Sequence, residues 1–502
     1  MTAPSGQGPG LRPTRRQVLR GMGALCLGSL VPGAGSAWAA DAAAKAKRPN
    51  VLFIAIDDLN HWVHHLGRNE QTLTPNLDRL AQRGVTFTRA YAAAPVCNPS
   101  RAALMSGLMP STSGVYDNST DWRQYIAQDL PLTTHFRKNG YYVAGAGKIY
   151  HESYRRDAEW DDYLQKEGGD PKPQGEDTGV GGIKFAPLDC KDEDMQDYRI
   201  VSWTIEQLQR DHDKPFFLAC GVHKPHMPWN VPRKYYDLHP LDKIQLPPVN
   251  EHDLDDVPPR GVRFANPSGD HAAILKSGRW KDAVQGYLAA ITFTDMNVGR
   301  LLDALDKSRY RDNTIIVAWG DHGWHLGEKL HWRKFTLWEE ATRAPLLWVV
   351  PGVTPAGAVC PRTVDFMSLY PTLCDLCGLE IPKHVEGVSI KPLLARPDAP
   401  WDRPALTTYL YNNHSVRSER WRYIRYEDGG EELYEETKDP LEWTNVAGKA
   451  EYAPVKAELA QHLPKVNKPA PAGSRGGKRS KAEAFSPAEQ LAMSLWEERE
   501  AE

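Results

Sequence analysis

The chain has 502 residues, 41% of them hydrophobic, and its charges nearly balance at −3. That is enough apolar material for one large domain with a smaller one beside it. A pI near 6.6 excludes a mainly electrostatic partner such as nucleic acid, and beyond the N-terminus no apolar stretch is long enough for a stable membrane span.

The N-terminus reads as a targeting segment over residues 1–40. "PTRRQVLRG" places Arg15 and Arg16 before a short, glycine-rich apolar stretch, and Ala37-Trp38-Ala39 offers small residues for cleavage. Adjacent arginines in that position mark a twin-arginine signal, hence a bacterial host, the twin-arginine export machinery as a partner, and a periplasmic or extracellular destination. Leu25 before Cys26 argues against lipid attachment there.

From Pro49 onward, short apolar runs alternate with helical patterns. The runs are "NVLFIAIDD", "YYVAGAGKIYH", "KPFFLACGVHKPHMP", "NTIIVAWGDHG" and "APLLWVVPG"; "TPNLDRLAQRG" and "YLAAITFTDMNVGRLLDALDKS" lie between them as helix candidates. Continuous apolar runs suit strands buried on both faces, and strands separated by helices suit a mostly parallel sheet flanked by helices, an α/β fold. Four of the runs deliver ionisable residues at once: Asp57 and Asp58, Lys148 and His151, His223 with Lys224 and His226, and Asp321 with His322. Ligands bind beyond the carboxyl ends of such strands, so these groups are expected to share one site.

Adjacent carboxylates repel unless a positive group compensates them, and Asp57, Asp58 and Asp321 form an oxygen-rich set that suits Ca²⁺ or Mg²⁺ better than Zn²⁺. Lys148 and Lys334 suit an anion with several oxygens, and His151 and His226 can move protons near neutral pH. "PVCNPSRAALMSG", residues 95–107, reads as a turn running into a helix, with Asn98 held extended by Pro99. A soft thiolate suits neither hard cation. The helix N-terminus and Arg101 favour negative charge at position 97, so an activated nucleophile is physically open there, and spacing alone says no more. "FMSLYPTLCDLCGLEIP" reads as a helix ending at Gly378, in which Cys374 and Cys377 pack rather than bridge. After about Pro400 the pattern changes to short strands with a Gly-Gly turn and a helix, "APVKAELAQHLPK", behind them. The expected organisation is a catalytic domain over 48–395, a small antiparallel subdomain over 400–465, and a flexible tail over 466–502 with a short helix near "SPAEQLAMSLWEERE".

Cys97-Asn98-Pro99-Ser100-Arg101 resembles the Cys-x-Pro-x-Arg core of the type I sulfatases, in the alkaline phosphatase superfamily. The resemblance runs from about Pro49 to Asn445 and includes "TPNLDRLAQRGVTFTRAYAAAPVCNPSR", "GKIYH", "GVHKPHMPW", "WGDHGWHLGE" and "LWEEATRAPL" in family order; the variant details are most similar to the iduronate-2-sulfatase branch. One departure is Leu108, where the longer signature often carries arginine. The resemblance implies an alkaline-phosphatase-like fold and a cysteine oxidised to formylglycine by a cytoplasmic maturation enzyme. It implies one calcium ion at Asp57, Asp58, Asp321 and His322, with residue 97 also facing the metal. Arg101 then steadies the formylglycine; Lys148, His151, His226 and Lys334 hold the sulfate and move protons; Trp324 contacts substrate. The implied activity is hydrolysis of sulfate esters on a sulfated poly- or oligosaccharide. A phosphate mono- or diester hydrolase of the same superfamily and a non-catalytic sugar-binding relative are the alternatives.

Overall fold

The computed structural model describes residues 48–151, 154–175 and 178–471. The expected targeting segment over 1–40, the helix expected near the C-terminus and the tail beyond residue 471 lie outside the described residues. The centre is an eight-stranded sheet built from β1 (Asn50–Ile56), β2 (Val85–Tyr91), β3 (Tyr142–Gly147), β4 (Asp162–Tyr163), β5 (Phe216–Val222), β6 (Thr314–Gly320), β7 (Leu346–Val349) and β8 (Ala358–Asp365). Their order is β8-β2-β7-β6-β1-β5-β3-β4. Only β7 runs against its neighbours β2 and β6; the other pairs are parallel.

β1 shows why the run is apolar throughout. Leu52, Ile54 and Ile56 enter one core, and Val51, Phe53 and Ala55 enter another on the opposite face. A strand covered on both sides has no solvent face to carry alternating polar residues. The first core is closed by α1 (Pro75–Ala81), α3 (Gln196–Gln209) and the long α4 (Trp280–Lys307), the second by α2 (Cys97–Ser106) and α5 (Leu369–Leu376). Cys374 and Cys377 sit in and just after α5, buried in that second core, and the six cysteines from Cys97 to Cys377 form no disulfide.

A second sheet follows, with β9 (Ala405–Thr408), β10 (His414–Arg417), β11 (Trp421–Arg425) and β12 (Glu431–Glu435) antiparallel in chain order. Gly429 and Gly430 turn β11 into β12, with Gly429 at φ 88°, a conformation that costs glycine little. Leu459, from the helix Ala453–Ala460, packs against Val416, Trp421 and Leu433. The Thr408 N–H donates to the Ala93 carbonyl at 2.9 Å, and Trp338 Nε1 donates to Glu432 Oε2 at 2.7 Å. Arg422, fully buried, bridges Glu339, Glu436 and Glu442. The small sheet thus braces the chain on either side of residues 93–97 and 334–339. Among the described residues no helix is long and apolar enough to cross a membrane.

Candidate active site

The ends of β1, β3, β5 and β6 bring their ionisable residues together. β1 stops at Ile56, and Asp57 and Asp58 follow, both fully buried. Asp58 has φ 58°, and its N–H donates to Asp321 Oδ1 at 2.9 Å, which joins the β1 end to the β6 end. Gly147 closes β3 at φ 77°; a Cβ there would lie 1.9 Å from the Gly221 carbonyl, so only glycine permits β3 to press against β5 at this point. The next residue, Lys148, then reaches Asp57 Oδ2 with Nζ at 2.6 Å.

Cys97 opens α2. The expectation that Asn98 is extended does not hold: the helix begins at Cys97 and includes Asn98. Pro99 is the third helical residue, where a main-chain N–H has no partner to lose. Asn98 is held by its surroundings, its N–H donating to Asn118 Oδ1 at 2.9 Å and its Nδ2 to the carbonyls of Asp117 and Thr120. Cys97 Sγ lies 3.0 Å from Lys334 Nζ, 3.3 Å from His322 Nε2 and 3.7 Å from Asp58 Oδ1. Arg101 is one turn further along α2. Its guanidinium donates to Asp321 Oδ2 at 2.8 Å, to Asp57 Oδ1 at 3.1 Å and to the carbonyls of Lys148 and Ile149. It organises the carboxylates, and the cation nearest the sulfur is Lys334.

Lys334 sits in a strained connection. Lys329, Leu330, Arg333 and Phe335 all have positive φ, between 49° and 80°. For residues with a Cβ this costs on the order of 1–3 kcal/mol each and persists only where the surroundings impose it. Lys329 Nζ is clamped to Asp253 Oδ1 at 2.8 Å, Arg333 Nε to Asp270 Oδ2 at 2.5 Å, and the Phe335 N–H to the Pro95 carbonyl at 3.2 Å. The outcome is a buried Lys334 ammonium 2.9 Å from Asp58 Oδ1.

Burial pushes the Asp57 carboxyl up, but Lys148, His226 and Arg101 together hold it well below the usual range. The same contest, with Lys334 as the largest opposing charge, leaves Asp58 below its usual value. At Asp321 burial wins over Arg101 and the carboxyl is raised. Burial, then Asp57, push the Cys97 thiol well up. Burial also lowers His226 to about 4 against the pull of Asp58.

The donor set fits a hard divalent cation. Single ligand atoms of Asp58, Cys97, Asp321 and His322 lie within 4.8 Å of one another, as do those of Asp57, Asp58 and His226. Asp58 Oδ2 is buried without a hydrogen-bond partner. His322 Nδ1 donates to the Gly323 carbonyl at 2.9 Å, which leaves the Nε2 lone pair facing Asp58 Oδ1 at 3.3 Å. A lone pair turned towards a carboxylate is repulsive unless a cation lies between them.

His226 Nε2 stands 3.8 Å from Asp58 Oδ2, and its Nδ1 donates to the Met227 carbonyl at 2.5 Å. His151 is buried on the connection after β3, its ring 6.0 Å from that of Tyr154. Trp324 is 2% exposed, packed on Trp229, with the Lys334 ammonium 5.6 Å from its ring centroid. Two further residues position this machinery. Ser100 Oγ donates to the Asp321 carbonyl at 2.6 Å. Asp197, near the start of α3, accepts the N–H groups of His223 and Lys224, each at 2.8 Å, and so holds the loop that carries His226.

A family model described as Sulfatase matches residues 49–379. The chain belongs to the sulfatase family. A second model, N-sulphoglucosamine sulphohydrolase, C-terminal, matches residues 320–469 of this sulfatase. It is 40% identical over 445 residues to a sulfatase of Formosa agariphila, covering 84% of this chain and 87% of that one. It is 30% identical over 398 residues to the iduronate 2-sulfatase of Homo sapiens, covering 69% and 72%. It is a sulfuric ester hydrolase. Its fold is shared with the phosphonate monoester hydrolase of Agrobacterium radiobacter, at a TM-score of 0.70 and 23% identity over 83% of this chain and 95% of that one.

Proposed function

We propose that this sulfatase removes sulfate from a uronate-bearing saccharide, with residue 97 carried as formylglycine and one calcium ion held by Asp57, Asp58, Asp321 and His322. The observation that supports this most directly is the setting of Cys97: a helix-start side chain 3.0 Å from Lys334 Nζ and 3.3 Å from His322 Nε2, above carboxylates fixed by Arg101. The iduronate 2-sulfatase relatives support the saccharide class.

The hydrated aldehyde at residue 97 presents two hydroxyls. One gives up its proton to the neighbouring Asp58 carboxylate, whose Oδ1 lies 3.7 Å from the side-chain atom of residue 97, and its oxygen attacks sulfur while the sulfur–oxygen bond to the sugar breaks. Calcium, when bound, supplies positive charge that lowers the cost of the oxyanion. Lys148 and Lys334 hold the sulfuryl oxygens and stabilise the charge that develops on them. His226 protonates the departing sugar oxygen; the bound anionic ester opposes the burial that otherwise lowers this histidine. The second hydroxyl of the sulfated intermediate passes its proton to His151, the carbon–oxygen bond to sulfate breaks, and the aldehyde returns. Water rehydrates it, so the net reaction is ester plus water to alcohol plus hydrogen sulfate. A cysteine has no second hydroxyl for the release step.

On this reading residues 1–40 direct twin-arginine export, and a cytoplasmic maturation enzyme oxidises Cys97 before the folded chain leaves. Paired assays test the activity: purified enzyme with calcium is given sulfate and phosphate esters of one alcohol, then desulfation of defined saccharides is followed. Preference for the sulfate ester and for a uronate 2-sulfate is expected. Preference for the phosphate ester contradicts the reaction, and preference for a non-uronate sulfate contradicts the substrate class.

A further inference from the structure

A second charged cavity, of about 270 Å³, lies beside the brace between the two sheets. Its lining includes the guanidiniums of Arg68, Arg89, Arg343 and Arg417 and only two carboxylates, Glu339 and Glu436. Glu340, just behind the lining, neutralises Arg68, so three arginines face two carboxylates and one positive charge is left over. None of these residues has a role in the reaction proposed above.

Two of the four guanidiniums are committed to carboxylates. Arg68 Nη2 pairs with Glu340 Oε1 at 2.5 Å, and Arg417 Nε pairs with Glu339 at 3.2 Å and Glu436 at 3.0 Å. Arg343 and Arg89 hold the surplus. Arg343 makes one long ion pair, 3.5 Å to Glu339 Oε1, and its buried Nε has no hydrogen-bond partner. Arg89 donates from Nη1 to the Pro361 carbonyl, which takes up none of its charge. The fully buried His61 also lines the cavity, its Nε2 3.3 Å from Glu340 Oε2 and neither ring nitrogen in a well-directed hydrogen bond. Burial pushes this histidine down to about 4, so it is neutral near pH 7 and can donate without adding charge. Unsatisfied buried donors cost free energy, and a guanidinium fork is shaped to meet two oxygens of one oxyanion. The volume falls just below the roughly 300–1,000 Å³ of sites for larger organic ligands, as suits an ion or one substituent of a chain.

We propose that this cavity binds a sulfate-type oxyanion through Arg343 and Arg89, separately from the catalytic centre. The anion is either free inorganic sulfate or a sulfate group on a distant unit of a sulfated saccharide.

Two measurements test it on the full chain. In crystals soaked with sodium selenate, anomalous density is expected in the cavity, within hydrogen-bond distance of Arg343 and Arg89. Selenate found only at the catalytic centre, or nowhere, overturns the proposal. In solution, calorimetric titration with sodium sulfate is compared between the wild type and a doubly substituted Arg89→Gln, Arg343→Gln protein. Loss of charge-assisted hydrogen bonds from two arginines should weaken one class of binding site by about tenfold or more; an unchanged isotherm overturns it. If the variant fails to fold, the selenate map decides. A size-defined heparin tetrasaccharide separates the sources. Competition with selenate for the cavity assigns the site to a chain-borne sulfate, and selenate retained in its presence assigns it to the free anion.

Discussion

Replacing Asp197 with asparagine should separate the two halves of the proposed chemistry. Asp197 is 1% exposed, and each of its oxygens accepts one main-chain N–H, from His223 and from Lys224, at 2.8 Å. The loop then turns so that the His226 N–H donates to the His223 carbonyl at 2.9 Å. An asparagine keeps one acceptor and turns its NH₂ towards the other N–H. The loss is one charge-assisted hydrogen bond plus one unsatisfied buried donor, about 2–3 kcal/mol. If that appears as misplacement of His226, kcat for a sugar sulfate falls by about 100-fold. A nitrophenyl sulfate has a leaving group that needs no proton, and its kcat should change by no more than about threefold. The assay is kcat and KM for both esters at fixed pH and calcium, with thermal unfolding to show that the fold is intact. Equal losses on both esters would refute the reasoning, since a general defect in the site makes no distinction between leaving groups.

Cys97→Ala should abolish turnover while lowering stability by only about 1 kcal/mol, measured by activity and denaturant unfolding; near-normal activity contradicts the covalent route. Chelation of calcium should lower the melting temperature, and readdition of calcium should restore it, by about 3–4 kcal/mol of linkage at ligand concentrations 100 to 1,000 times Kd. An unchanged melting curve contradicts the carboxylate site. Glu328 is buried beside Glu340, and burial followed by that charge raises it from 4.5 to about 8. Between those values the unfolded chain releases a proton that the folded chain keeps, so this group erodes stability as pH rises from about 4.5 to 8. Glu328→Gln removes that term, so the variant should gain stability relative to wild type across this window, by at most about 5 kcal/mol. Parallel stability curves for the two proteins would contradict it.

The central sheet is legible because burial on both faces leaves a mark that survives in one dimension. Val51–Ile56 must all be apolar, and the charge that follows marks where the strand leaves the core. The direction of β7 is not legible, since Leu346–Val349 reads as the same apolar run whichever way it points. The conformation of Asn98 is not legible, because the rule for a residue before proline is local, whereas Asn118, Asp117 and Thr120 hold it from outside the segment. The site's ionisable residues stand out by type and by their position after strands. Their supports do not. Asp197 resembles any acid in a first helical turn, and nothing in the sequence from Lys329 to Phe335 announces four left-handed residues, because that conformation is imposed by Asp253, Asp270 and Pro95. Arg343 and Arg89 lie 254 positions apart in the chain and meet only in the folded cavity.

The central claim is the chemical identity of residue 97. Mass spectrometry of the peptide that contains it, from active enzyme made in a host with the maturation partner, measures this directly. The account predicts an aldehyde at residue 97, detected by its mass and by its reaction with a hydrazide. Active enzyme in which residue 97 is wholly a cysteine thiol would contradict it.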